Sequence, residues 1–591
     1  MRVLLLTLLL LSSVCHAQTN SYHISFPNAV HHEARIRVEF PQLEGDTLVI
    51  RMARSSPGRY ALHEFAKNIY GLEARGEKGK PLEVIRKDPY SWSITGYENS
   101  VEIEYTLFGN RGDGTYTQID PTHAHLNIPA TFMYAEELQD RPVEVIFDTS
   151  AHPEWKIATQ LKQIGDQQYF APDLYYFMDS PVEISDFDSR QFEVDGQEIR
   201  FILHHPGTPQ EFDAYFENVK NIVLQEKAVF GELPDFDYGT YTFLACYMPN
   251  VSGDGMEHRN STVLTDVQSL GEGGHKSNIG TVSHEFFHAW NVERIRPLSL
   301  EPFDFSKANM SGALWFAEGF TSYYTNLILA RAGIITPEEY VEGLTGTFNY
   351  VWNSPALQYF NPIEMSYQAP FVDAATSVDP VNRVNTFVSY YSYGSMLGLA
   401  LDLKLREHGL SLDGFMRKVW EVHGDPEIPY TIEELEALLG VYAGKDIAEQ
   451  FFRKHIYDSK MPDYDDLFEE VGVVMRRKTD VAYLGAPVRE LEGKFLIIGP
   501  VPRNTPAYSA GLASGDRIKS ISGVVLSQEE SLESVLEKLE PGQAVKVEIL
   551  RYGQELTLDV VLATNPAFEI SLSPEASSEE LAARKKWLSA K

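Results

Sequence analysis

The chain has 591 residues, 43% of them hydrophobic and 12% aromatic, enough apolar surface for roughly three or four cores of ordinary domain size. Its 84 acidic against 50 basic residues give a formal net charge of -34 at pH 7, a field that repels phosphate backbones and anionic lipid surfaces. Nucleic acid is thereby excluded as a natural partner.

The first residues, MRVLLLTLLLLSSVCHAQTN, carry one positive charge, an apolar run and then small residues up to Ala17. This reads as a secretory signal over residues 1–17, so a periplasmic or secreted protein is expected. The apolar run is too short for a membrane span, which needs roughly 20 residues, and no transmembrane anchor is expected. Lipid anchoring on Cys15 is the rival, although Ser12 and Val14 fit a lipobox poorly. Signal removal leaves Cys246, inside YTFLACYMP, as the remaining cysteine. No intrachain disulfide can then form, and an inert buried strand thiol is expected.

Residues 18–205 alternate in short stretches such as ARIRVEF, DTLVIRMA and SVEIEYTLF, broken by Pro, Gly and Asp turns, which predicts an antiparallel β domain of sandwich type. The period becomes helical after Thr208 and Pro209, an N-cap and first-turn pair, so a second domain is expected over 206–470, strands first and helices from about residue 277. Over 471–565 strands return around one helix, SLESVLEKLE. The tail 566–591 reads as a solvated terminal helix or a disordered end. The fold class is multidomain α+β.

Within the second domain, GTVSHEFFHAWNVERIRP sets His284 and His288 four residues apart, on one helical face where both imidazoles reach one ion. Glu285 is turned about 100° away; its carboxylate can reach a water rather than the ion. Thirty residues beyond His288, Glu318 lies in the apolar LWFAEGFTSYY. A catalytic zinc takes three protein ligands and keeps a fourth position open, and a buried carboxylate without such a task is costly. His284, His288 and Glu318 are therefore candidate ligands of one Zn2+ per chain.

HEFFHAWN…RIRP followed by LWFAEGFTSYY resembles the PDZ-containing glycyl aminopeptidases, a gluzincin branch of the metallopeptidases related to aminopeptidase N and leukotriene hydrolase. SSPGRYALHEFAKNI resembles the family's β domain, and NTPAYSAGLASGDRIKSISG resembles a bacterial PDZ domain, with Gly511 and Gly515 in turns and Asp516 before a strand. The resemblance implies a thermolysin-like catalytic domain, a C-terminal PDZ domain, and Glu285 as general base and proton shuttle. GDGMEHRNST resembles the family's exopeptidase motif, which implies that Glu257 grips the α-amine of peptides with free N-termini while Gly255 and Met256 align the scissile bond; a solvated strand-end acid is the alternative for Glu257. Asp254 stands where the family usually has Gly. VSYYSYGSMLGLALDLKLR resembles the family's tyrosine helix, implying Tyr391 as the oxyanion donor and Tyr393 in place of the usual lysine, with Tyr390 one position away. The implied activity is release of N-terminal residues, Gly and Ala favoured. An endopeptidase and a catalytically silent peptide-binding scaffold stay open. YLGA, with Tyr483 first, is the candidate PDZ loop for a peptide C-terminus; packing on the catalytic domain is its other reading.

Overall fold

The computed structural model describes residues 18–372 and 381–591, and the secretory signal expected over 1–17 lies outside the described residues. The chain divides into two units, Met1–Ser56 with Glu64–Phe187, and Pro57–His63 with Asp188–Lys591.

The first unit is built on a seven-stranded sheet, accompanied by a four-stranded and a three-stranded sheet. Its strands form for the reason legible in ARIRVEF: in Glu33–Phe40 the residues Ala34, Ile36, Val38 and Phe40 are buried while Arg35, Arg37 and Glu39 face solvent, the period of two that buries one sheet face. Opposite them, Ile36 pairs with Tyr105 and Val38 with Ile103. Among the described strands of this unit the expected antiparallel character holds except where Asn20–Asn28 runs parallel to Val143–Asp148; the expected domain's last strand, Gln197–His204, also pairs in parallel, outside this unit. Alternation cannot signal this, because parallel neighbours are joined by a long crossover rather than a turn.

The second unit begins with a five-stranded sheet in the order Asp188–Val194, Gln197–His204, Thr240–Tyr247, Ser261–Asp266, Asp254–His258. The first two strands lie before the domain boundary expected at residue 205, yet pair with this sheet. Their local pattern is that of any amphipathic strand and carries no address. The crossover helix Pro209–Phe230 starts as expected: Thr208 accepts from the amide of Glu211, whose side chain reaches back to Thr208, and Gly231 ends it at φ 98°. It returns the chain to the parallel strand Thr240–Tyr247, buried at nearly every position, Cys246 included. The hairpin that follows leaves Asp254–His258 as the edge strand.

Helices fill most of the stretch from Ile279 to Glu469. Gly319–Arg331 and Tyr390–Glu407 cross at backbone distance: a Cβ on Gly319 would lie 2.4 Å from Cα of Gly394, and one on Gly394 would lie 2.0 Å from the Trp315 carbonyl oxygen. Only glycine allows this approach, and it brings the segment bearing Glu318 against the one bearing Tyr391. No described helix is long and apolar enough to cross a membrane.

The C-terminal β region has its own core, including Phe495, Ile497, Ile518, Val547 and Ile549. Asp516, fully buried, is satisfied by Arg551, whose Nε and Nη2 each donate over 2.7 Å, and by the Ala513 amide at 2.8 Å. Strands Val473–Arg477 and Phe568–Leu572 pair across the two ends of this region. The tail is neither solvated throughout nor disordered: Ser578–Leu588 is a helix capped by Ser577 and Glu580, and Trp587 is 0% exposed. Its indole Nε1 donates to the Tyr323 hydroxyl at 3.0 Å, and Arg331 Nε donates to its carbonyl at 3.2 Å. Trp587→Ala should cost about 3–5 kcal/mol of stability, read as an earlier midpoint in urea unfolding; an unchanged midpoint would mean that this anchor carries no load.

Candidate metal centre

The helix Ile279–Phe287 is held from behind by aromatic packing: Phe286 lies edge-on to Tyr241 at 4.9 Å between ring centroids, and Phe287 meets Phe230 at 5.2 Å. This fixes the opposite face. His288 follows the last helical residue but keeps φ -65° and ψ -18°, so it still stacks over His284. The two Nε2 atoms are 3.1 Å apart, and Oε2 of Glu318 lies 3.6 Å from that of His284 and 3.2 Å from that of His288. The far nitrogens are occupied: Nδ1 of His284 faces the Thr325 hydroxyl at 3.1 Å, and Nδ1 of His288 faces the Asn291 carbonyl. Such partners set tautomer and ring orientation. Asn291, not singled out by sequence, also donates to the carbonyls of Phe316 and Ala317 at 3.2 and 3.0 Å, tying the histidine segment to the stretch just before Glu318.

These atoms fit a tetrahedral zinc. Bonds of about 2.0–2.2 Å at tetrahedral angles put ligand atoms roughly 3.2–3.6 Å apart, and the three edges here run from 3.1 to 3.6 Å. The electrostatics ask for a cation as well. Burial works against charge on Glu318, yet His288 and His284 hold its carboxyl well below the usual range. Burial also works against a proton on His288, but Glu318, Glu257 and Glu285 together draw one to it. Negative charge in excess of its partners is thus concentrated on this pocket.

Glu285 is 5% exposed, and its Oε2 has no hydrogen-bond partner among the described residues; burial, first of all, raises its pKa well above that of a free carboxyl. Glu257, 6% exposed on the edge strand, is raised for the same first reason. Carboxylate oxygens of both and a ring nitrogen of His288 lie within 4.8 Å of one another, so Glu257 is not a solvated strand-end acid. Gly255 faces Glu285 so closely that a Cβ would stand 2.2 Å from its Oε1, whereas the Met256 side chain is buried in the core and has only its backbone to offer a cleft. Of the three tyrosines, Tyr391 sets its ring 5.9 Å from that of His284, Tyr390 is buried and stacks on Tyr391 at 4.8 Å, and Tyr393 packs edge-on to Trp352 at 5.6 Å. Burial keeps the Tyr391 phenol protonated far above neutral pH, a hydrogen-bond donor.

Two further contributors come from Pro57–His63, read by sequence as part of the β domain but grouped with the second unit. The Tyr60 hydroxyl donates to Oε1 of Glu318, and the Arg59 guanidinium pairs with the Asp254 carboxylate and donates to the Gly255 carbonyl at 3.2 Å. Both lie in SSPGRYALHEFAKNI, read by resemblance as part of the β domain, and that stretch does not name their partners: Tyr60 is 258 residues from Glu318. Glu226 was also missed. It sits fully buried behind the metal helix, accepts from the Ser283 hydroxyl at 3.0 Å, and is kept neutral by burial.

Comparison with known proteins agrees with this layout. Residues 21–186 match the model of the Peptidase M61 N-terminal domain, residues 277–397 that of M61 glycyl aminopeptidase, and residues 482–562 that of the PDZ domain. Among solved structures, an aminopeptidase N family protein from Idiomarina loihiensis shares the fold with a TM-score of 0.84 at 24% identity, over 97% of this chain and 100% of that one. An M1 zinc metallopeptidase from Deinococcus radiodurans aligns at 13% identity over 74% of this chain and 93% of its own, with a TM-score of 0.41. Among curated proteins nothing matches. Residues 21–186 and 277–397 thus match the two M61 peptidase domain models and residues 482–562 the PDZ model, in succession along one chain, a layout that supports a metallopeptidase of M61 type.

Proposed function

We propose that the protein is an exported zinc aminopeptidase that removes N-terminal residues, Gly and Ala favoured, from peptides. The observation that carries this reading is the position of Glu257: a buried carboxyl within 4.8 Å of ligand atoms of Glu285 and His288, with its pKa raised by burial. An arriving ammonium adds counter-charge beside a carboxyl whose charge burial opposes, and pairing there fixes the first peptide bond, rather than an internal one, over the centre.

His284, His288 and Glu318 would hold one zinc per chain, and the ion when bound supplies a Lewis acid that polarises a carbonyl and acidifies water. The remaining work falls to the chain's own groups. Glu285 takes a proton from the attacking water and passes it to the departing amine nitrogen; burial raises its basicity for that task. The Tyr391 phenol donates to the oxygen that gains charge as the carbonyl carbon becomes tetrahedral. Gly255 leaves Glu285 room to act. Water adds across the peptide bond, and the products are one amino acid and a shortened peptide. Because Asp254 is paired with Arg59, its charge is spent, and the small-residue preference of the family is retained. In the PDZ region, Val488–Leu491 is a sheet-edge strand and Gly485 in the Tyr483-led loop has φ 75°, features suited to receiving a peptide C-terminus by strand addition. Export rests on the signal-like residues 1–17.

Glu285→Gln should retain about one zinc per chain while turnover falls by at least about 100-fold, as measured by metal analysis beside an aminoacyl-anilide assay; substantial residual turnover would require another base. Glu257→Ala should lose roughly 2–4 kcal/mol of transition-state binding, on the order of a hundredfold or more in kcat/KM on Gly anilide, with zinc content unchanged. Wild type should leave N-acetyl-Gly anilide uncut. Equal cleavage of free and acetylated substrates would make the enzyme an endopeptidase, and zinc without any turnover would leave a peptide-binding scaffold.

A further inference from the structure

Glu318 has two carboxylate oxygens and only one faces the histidines. Oε2 lies 3.2 Å from Nε2 of His288 and 3.6 Å from that of His284, whereas Oε1 accepts the hydroxyl of Tyr60. The residue is 2% exposed, so without that donor Oε1 would be a buried charged oxygen stripped of water. It would also be free to turn in and chelate with both oxygens, filling the position that a catalytic zinc must keep open. A single phenol thus decides whether this side chain offers one oxygen or two.

The phenol is itself held. Its ring is buried and lies edge-on to Tyr390 at 6.3 Å. One residue earlier, Arg59 binds the Asp254 carboxylate and the Gly255 carbonyl. One residue before that, Gly58 has φ 76°, and a Cβ on it would stand 2.4 Å from Met256 Sδ and 2.9 Å from Glu257 Oε2. Three consecutive residues therefore touch the edge strand twice and the third ligand once, so the segment gauges the position of Glu318 against the strand that carries Glu257.

We propose that Tyr60 is a positioning residue for the metal, its hydroxyl fixing Glu318 as a one-oxygen ligand, with Arg59 anchoring the segment that presents it. This rests on the reading of His284, His288 and Glu318 as zinc ligands. The test is the zinc dissociation constant of full-length protein by chelator competition, beside thermal unfolding of the metal-free form. Tyr60→Phe, which keeps the ring but strips Oε1 of its donor, should weaken zinc by about 10–100-fold, with at most a modest fall in the metal-free unfolding midpoint. A purely structural hydroxyl would instead lower the metal-free midpoint and leave the zinc affinity unchanged. An affinity for Tyr60→Phe within about twofold of wild type overturns the proposal while wild-type zinc binding stands; absence of zinc binding in wild type overturns the ligand reading instead. Should Tyr60→Phe fail to fold, Arg59→Gln leaves the phenol in place but unties the segment from the edge strand, and its zinc affinity must fall by about threefold or more; an unchanged value likewise overturns the proposal.

Discussion

A carboxylate removed from water has to be met by charge or by donors on every side, and Glu318 is the group on which that requirement falls hardest in this protein. Two imidazoles meet one of its oxygens and a phenol meets the other. Each of those partners is in turn committed elsewhere, His284 to Thr325, His288 to Asn291, and Tyr60 to the segment pinned by Arg59. The result is a closed set of directional contacts with little slack, which is what a site needs if its ligand atoms are to keep zinc-like spacing before an ion arrives.

The helices satisfy the same requirement by close packing. Next to Glu318, its own helix and the Tyr391 helix come nearer than side chains allow, at the Gly319–Gly394 contact. Asn291 stitches the histidine segment to the carbonyls that precede Glu318. At the far end of the Gly319–Arg331 helix, Tyr323 and Arg331 hold Trp587 of the last helix. One helix thus has the candidate ligand Glu318 at its start and the contacts of the last helix at its end.

The cleft is strongly acidic. Glu257 and Glu285 share a low-dielectric space with Glu318: burial first, and like charge after it, raises the pKa of the first two, while Glu318, held low by the histidines, helps draw a proton to His288. Arg59 answers Asp254 at the rim. The arrangement suits a chemistry in which two positive charges enter, a metal dication and a substrate ammonium, and suits anionic substrates poorly.

What the sequence by itself determined was whatever repeats over a few residues. The alternation of Glu33–Phe40, the cap at Thr208, the placing of His284 and His288 on one helical face, and the glycines before Asp516 all follow from the pitch of a helix, the pleat of a strand or the φ a turn demands. The downstream Glu318 was legible because a charge in an apolar helix needs a reason. The tertiary structure alone decided which sheet receives the strands of 188–204, that Asn20–Asn28 finds a parallel neighbour, that Trp587 is an anchor rather than part of a loose end, and that Tyr60 meets Glu318. These are pairings between surfaces, some across sequence separations of 258 and 264 residues, and nothing in a tyrosine's immediate neighbours specifies which distant carboxylate the folded chain will bring to it.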